Sequence, residues 1–293
     1  MTTLNAPPHL SSSINSDSVL GDKLIEPQQV NAMRGWAWIV DGFKLYKPNK
    51  WIWILNILIL SVISLLIILI PFGDIILQLF FPVFIGGIMS GCYAQNNGYS
   101  LKVKHLFTGF NDNISSLMII GGFNLLGTII IVSFIVILGI IVNGSDFLKV
   151  IATLQEGNQI NPETARQLII FGIIAFLVGV ALFTPLIMAT WFAPVLITLH
   201  SLRPLSAIRL SFMGCVRNML SYLVYGLVFL IILLTPLIIP MGLAFLVKTS
   251  SIFISIILLF MALYFCLMFF VMIPTCFASI YFSYKDIFLK KNS

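Results

Sequence analysis

Six apolar runs, each long enough to cross a membrane as a helix, constrain this chain more than anything else in it. They cover residues 51–70, 75–95, 114–142, 168–199, 219–247 and 252–282. A helix crossing about 30 Å of hydrocarbon needs about 20 apolar residues. Lipid offers the backbone no hydrogen-bond partner, so a run that is apolar on every face can satisfy itself there only as a helix. The whole chain is 59% apolar and 9% charged, against about 45–50% and about 25% for a soluble domain. The predicted fold is therefore all-α: a polytopic membrane bundle of six transmembrane helices over residues 51–283.

The flanking segments differ from the runs. Residues 1–27 are polar and rich in Ser, Asn and Pro, with no apolar period, and read as a disordered cytoplasmic tail. No basic start followed by an apolar core marks a signal peptide there. Over residues 28–47, Val30, Met33, Ala37, Val40 and Phe43 recur at steps of three and four, with Trp36, Trp38 and Tyr46 among them. That spacing predicts an amphipathic helix lying in the membrane interface and ended by Pro48. Residues 284–293 read as a cytoplasmic C-terminal tail. Lys23, Arg34, Lys44, Lys47, Lys50, Lys102, Lys104, Arg203, Arg209, Arg217, Lys285, Lys290 and Lys291 fall on one side of the predicted spans, and only Lys149, Arg166 and Lys248 on the other. Basic residues collect on the inner side, so both termini are expected in the cytoplasm.

Two stretches share one plan. Pro-Val-Phe-Ile at 82–85 answers Pro-Val-Leu-Ile at 194–197, an offset of 112. Phe107, Gly109, Asn113, Ser116 and Gly121 answer Phe212, Gly214, Asn218, Ser221 and Gly226, each 105 positions on. The echo predicts a parallel internal repeat. Small residues four apart mark expected helix contacts: Gly87 and Gly91 beside Gly86 and Ser90, Ala189 and Ala193, and Ser279 between Thr275 and Ser283. With Pro82, Pro185, Pro194 and Pro274 as kinks in the second, fourth and sixth spans, these three helices are expected to form the inner layer.

Chemistry-bearing patterns are sparse. No Asp, Glu, Lys, Arg or His falls inside a predicted span, which argues against proton-coupled transport and intramembrane acid–base catalysis. Gln78 and Asn124 are the polar exceptions and read as interhelical hydrogen-bonding residues. Cys92, Cys215, Cys266 and Cys276 lie in or near apolar segments without metal-ligand spacing, and His105 and His200 have no carboxylate set around them. No metal, cofactor or enzymatic role is expected. The net charge of +6 lies at membrane edges rather than on a water-facing domain, which excludes a nucleic-acid binder. Lys102, Lys104, Arg203, Arg209 and Arg217 are candidate contacts for anionic lipid headgroups. Asn143-Gly-Ser145 fits a glycosylation pattern and the Lys290-Lys291-Asn292-Ser293 ending a retrieval signal; both read better as chance and as part of the inner charge cluster.

Three passages carry a resemblance: Val30 to Trp38 with Gly42-Phe43, Trp191-Phe-Ala-Pro194 followed by Asn218, and Tyr281 to Phe288. Together they resemble an uncharacterised family of six-span bacterial inner-membrane proteins akin to the YciC-like membrane proteins. The resemblance implies the bacterial cytoplasmic membrane and no catalytic residues. The expected function is contact with lipids or partner membrane proteins, in envelope maintenance or assembly. The alternative is facilitative transport of a small uncharged or amphiphilic solute.

Overall fold

The computed structural model describes residues 24–111, 113–144, 162–246 and 251–290. Among them there are helices and turns, and one isolated bridge from Leu24 to Leu289, but no strand. The helices are α1 (Arg34–Tyr46), α2 (Lys50–Ile68), α3 (Gly73–Asn96), α4 (Ile114–Asn143), α5 (Pro162–Thr190), α6 (Ala193–His200), α7 (Pro204–Arg217), α8 (Met219–Leu246) and α9 (Ser251–Phe288). A 3-10 segment, Val103–Phe110, lies between α3 and α4. Five stretches are long and apolar enough to cross a membrane: Arg34–Ile68, Gly73–Asn96, Ile114–Val142, Ala165–His200 and Leu259–Phe288. A sixth is made if Pro204–Arg217 and Met219–Leu234, bent by 78°, count as one.

The amphipathic segment at 28–47 is helical from Arg34. Asn31 starts it, accepting the Met33 N–H on Oδ1 and the Arg34 N–H on its carbonyl, each at 2.9 Å. The face packed on protein is not the one the spacing picked out: Gly35, Trp38, Ile39, Gly42 and Tyr46 are buried, against α8 and α9, whereas Met33 and Phe43 are exposed. A Cβ on Gly35 would lie 2.1 Å from the Ser221 carbonyl oxygen, and one on Gly42 would lie 2.8 Å from the Thr275 oxygen and the Ser279 nitrogen. Only a residue without a side chain lets the backbones come this close. Pro48 does not end the segment. It sits at the start of a 3-10 turn, Lys47–Asn49, through which α1 runs on into α2. Proline is tolerated there because first-turn N–H groups have no intrahelical partner in any case.

α3 is the best-buried span, contacting α2, α4, α6, α9 and the 3-10 segment. The expected inner layer of the second, fourth and sixth spans holds only in part. α5 is exposed along most of its length, as α4 is, and the buried elements beside α3 are α6, α1 and the last third of α9. Small residues do mark close approaches: Gly86 lies against Thr198 of the predicted fourth span, as expected, but other partners differ. Gly87 faces the Leu106 carbonyl and Gly91 the Leu101 side chain, so this stripe seats the 3-10 segment rather than another span. Ser279 seats α1.

Two boundaries move. The segment placed in a C-terminal tail continues α9 to Phe288, and Tyr284, Asp286, Ile287 and Phe288 are buried. Helix-spaced Tyr281, Tyr284 and Phe288 carry the apolar face past the predicted end at 282. At the other terminus, Ile25 donates to the Phe288 carbonyl at 2.8 Å and Gln28 to that of Ile287 at 2.9 Å, so residues 24–27 belong to the fold rather than to a disordered tail. Residues 1–23, the glycosylation-like Ser145, the polar connection at 145–161 and the last three residues lie outside the described residues.

Candidate functional site

The three passages that carry the resemblance meet at one end of the bundle. Arg34 pairs with the Asp286 carboxylate, and Trp38 donates its indole N–H to Asp286 Oδ2 at 2.8 Å. Gln28 donates to the Asp286 backbone oxygen at 2.6 Å. Asn218, in the bend between α7 and α8, takes the Val30 N–H on Oδ1 at 2.8 Å and donates Nδ2 to the carbonyls of Gln28 and Gly214, at 3.0 and 2.9 Å. Arg217 donates to the Pro27 carbonyl at 2.6 Å. Aromatic rings fill the space between, with Trp38 and Tyr222 centroids 5.3 Å apart and those of Phe192 and Phe288 5.0 Å apart. A carboxylate removed from water is costly unless paired and hydrogen-bonded, and Asp286 is both. This cluster is a clasp joining the N-terminal segment, the α7–α8 bend and the end of α9. Sequence reasoning missed Asp286 as part of it.

The fourth predicted span breaks at Trp191-Phe192, between α5 and α6. Pro194 sits at the start of α6 and removes an N–H from the ladder. Ser211 of α7 fills the gap: its Oγ accepts the Phe192 N–H at 2.9 Å and donates to the Met188 carbonyl at 2.7 Å. Pro185 lies within α5 without breaking it, beside Thr184, which donates to the Val180 carbonyl at 2.6 Å.

The five basic candidates fall on two separate segments. Lys102 and Lys104 flank the start of the 3-10 segment, and Arg203, Arg209 and Arg217 belong to α7 and its N-cap. Arg217 is committed to Pro27. Arg203 and Arg209 are exposed, and Leu205, Arg209, Phe212 and Val216 form one exposed stripe at helical spacing. His105 lies between the two lysines in sequence. Burial, and then the charges of Lys104 and Lys102, hold its imidazole below the usual histidine range, and the Lys102 backbone N–H donates to its Nδ1 at 3.1 Å.

A cavity of about 580 Å³ opens between α3, α4, α5 and α9. Pro82 and Pro194 line it, with Ile85, Phe277 and Ile280 toward mid-α3 and Asp74 and Gln78 toward the α2–α3 turn; Asn124 and Trp191 complete the wall. Gln78 donates to Thr128 Oγ1 at 3.3 Å, as an interhelical residue should. Pro274 is buried in α9 away from this cavity, Ala193 is fully buried at the break, and Ala189 is buried one turn before it.

No family model matches the chain, and no solved structure matches it. It is similar to a protein of Burkholderia thailandensis named as a probable inner membrane protein, with 27% identity over 205 residues. That match covers 68% of this chain and 73% of the relative. With five or six helices able to cross a membrane, the chain is an all-α, multi-pass integral membrane protein, and the relative supports an inner-membrane location.

Proposed function

We propose that the protein acts by contact rather than catalysis, holding anionic lipid headgroups and neighbouring membrane proteins at the cytoplasmic face in an envelope-maintenance or assembly role. The observation that carries this is α7, which bends 78° from α8 and exposes Leu205, Phe212 and Val216 beside Arg209. If α8 crosses the bilayer, α7 lies near its plane. Apolar side chains then enter the acyl boundary while Arg203 and Arg209 reach phosphates. On this reading the bent pair supplies the sixth span and both termini are cytoplasmic, as the basic bias supports.

Facilitative transport is the second reading, favoured by the cavity with Asn124, Pro82 and Pro194 in its wall. One pair of experiments separates them. Protein reconstituted in vesicles containing anionic lipid is expected to co-purify with that lipid, and Arg203→Gln with Arg209→Gln to abolish the enrichment. Retained enrichment in the double variant, or solute flux through the vesicles that Pro194→Ala abolishes, overturns the contact reading.

A further inference from the structure

We propose that the cavity between α3, α5 and α9 binds one hydrocarbon chain of an ammonium-headed lipid, with the ammonium at Asp74 and the chain directed toward Ile85 and Ile280. This goes beyond the headgroup contacts of α7, which involve another surface and the opposite headgroup charge.

Size and shape come first. A volume of about 580 Å³ falls within the range of about 300–1,000 Å³ typical of small-molecule sites. Along α3 the lining runs from Asp74 to Ile85, about 16 Å at 1.5 Å rise per residue. That is an elongated slot, suited to a chain rather than to a compact solute. Phe81 and Ile187 line it and are also exposed, so it opens sideways, where a bilayer would supply hydrocarbon.

Polarity within the slot is ordered. Its deep end is Ile85, Pro194, Phe277 and Ile280. Water is a poor occupant there, since a buried water needs two to four polar partners. At the end near the α2–α3 turn, Gln78 spends its amide N–H on Thr128, and deeper in the wall Thr190 spends its hydroxyl on the Leu186 carbonyl at 3.1 Å. The Asp74 carboxylate, Gln78 Oε1, the Asn124 side chain and the buried indole N–H of Trp191, which has no hydrogen-bond partner among the described residues, remain to meet a ligand. The lining contains no Lys, Arg or His. One carboxylate without a lining cation attracts a hydrogen-bond-donating ammonium and disfavours a head that is only anionic. The lipid's phosphate stays outside the rim, and its amine reaches Asp74.

The test uses full-length protein carrying Arg203→Gln and Arg209→Gln, so that anionic lipid held by α7 does not contribute. It is reconstituted into vesicles of equal parts ethanolamine-headed and glycerol-headed phospholipid, and retained lipid is counted by native mass spectrometry. Asp74 is exposed, so ethanolamine-headed lipid is expected to be enriched about threefold, the ratio that a solvent-screened ion pair supplies. Asp74→Asn keeps the side-chain size and is expected to return the ratio to that of the vesicle. Asn124→Phe fills the slot and is expected to remove the retained lipid. A ratio equal to the bulk in the parent, an enrichment that survives Asp74→Asn, or an excess of glycerol-headed lipid overturns the proposal. Failure of the α7 reading would show instead as anionic enrichment persisting in the arginine variants.

Discussion

The two stretches that echo each other in sequence, 82–121 and 194–226, are held in different ways. The first runs from the long α3 through a 3-10 segment into the long α4, and the second from the eight-residue α6 through α7 into the long α8. The first closes backbone against backbone. A Cβ on Gly109 would lie 2.1 Å from the Val83 carbonyl oxygen, and one on Gly121 would lie 2.3 Å from that of Leu79. The second closes through side chains from elsewhere. Gly214 faces the ring of Phe288, Gly226 has nothing within 4 Å, and α8 packs on α1 instead of on α5. The units touch where they are aligned: Gly86 lies against Thr198, its counterpart at the offset of 112. The partner available to each stretch thus decides how it closes: the first closes mainly on its own α3, and the second is completed by the chain termini.

The sharpest way to break this comparison is at the paired glycines. Gly109→Ala and Gly121→Ala force backbone apart, and each is expected to cost about 3 kcal/mol, whereas Gly226→Ala should stay within about 0.5 kcal/mol of the parent. Unfolding titrations of the three variants in mixed micelles measure the difference; equal losses would mean that both copies close alike.

The paired asparagines come next. Asn218→Ala removes the hydrogen bonds that hold residues 28–30 to the bend, and is expected to cost about 2–3 kcal/mol. In the first copy, Asn113 serves through its backbone carbonyl, which accepts the Leu117 N–H at 3.0 Å and survives substitution, so Asn113→Ala should cost under about 0.5 kcal/mol. Protease nicking near residues 24–31 should rise in the Asn218 variant alone.

Ser211 separates the copies more gently. The helix break it fills has no equivalent in α3, which is continuous at the aligned position Phe80. Ser211→Ala leaves the Phe192 N–H unpaired and is expected to cost about 1–2 kcal/mol, read as faster amide exchange at Phe192.

The smallest effect is a pH dependence at His105, in the first copy. His105 is held below its usual range of about 6.5 by burial and the two lysines. The folded state therefore binds fewer protons than the unfolded one, and the stability His105 contributes is present above that pKa and lost as pH falls through the folded value. The melting midpoint should drop slightly between about pH 7.5 and about pH 5, and His105→Gln should remove that part of the drop.

What the sequence determined by itself was the solvent and therefore the class. Apolar runs of twenty or more residues leave the backbone no choice but helix, and their spacing set the helix order to within a few residues at most ends. Gln78 as an interhelical hydrogen-bonding residue and Gly86 at a close approach were also legible, because a polar or a missing side chain in an apolar run has few other uses. Tertiary structure alone decided which faces are covered. At 28–47 the spacing picked out the face of Met33 and Phe43, which stays exposed, while the face that meets α8 and α9 is built on Gly35, Trp38 and Gly42, and a glycine gives no apolar signal to read. Asp286 looked like tail because charge near a terminus is ordinarily solvated; only the arrival of Arg34 and Trp38, some 250 residues away in sequence, makes its burial affordable. Asp74 likewise reads as a turn residue until α5 and α9 close a cavity beside it. Helix formation depends on neighbours three and four residues apart, whereas clasp and cavity depend on contacts across the whole chain, and local spacing carries no record of those.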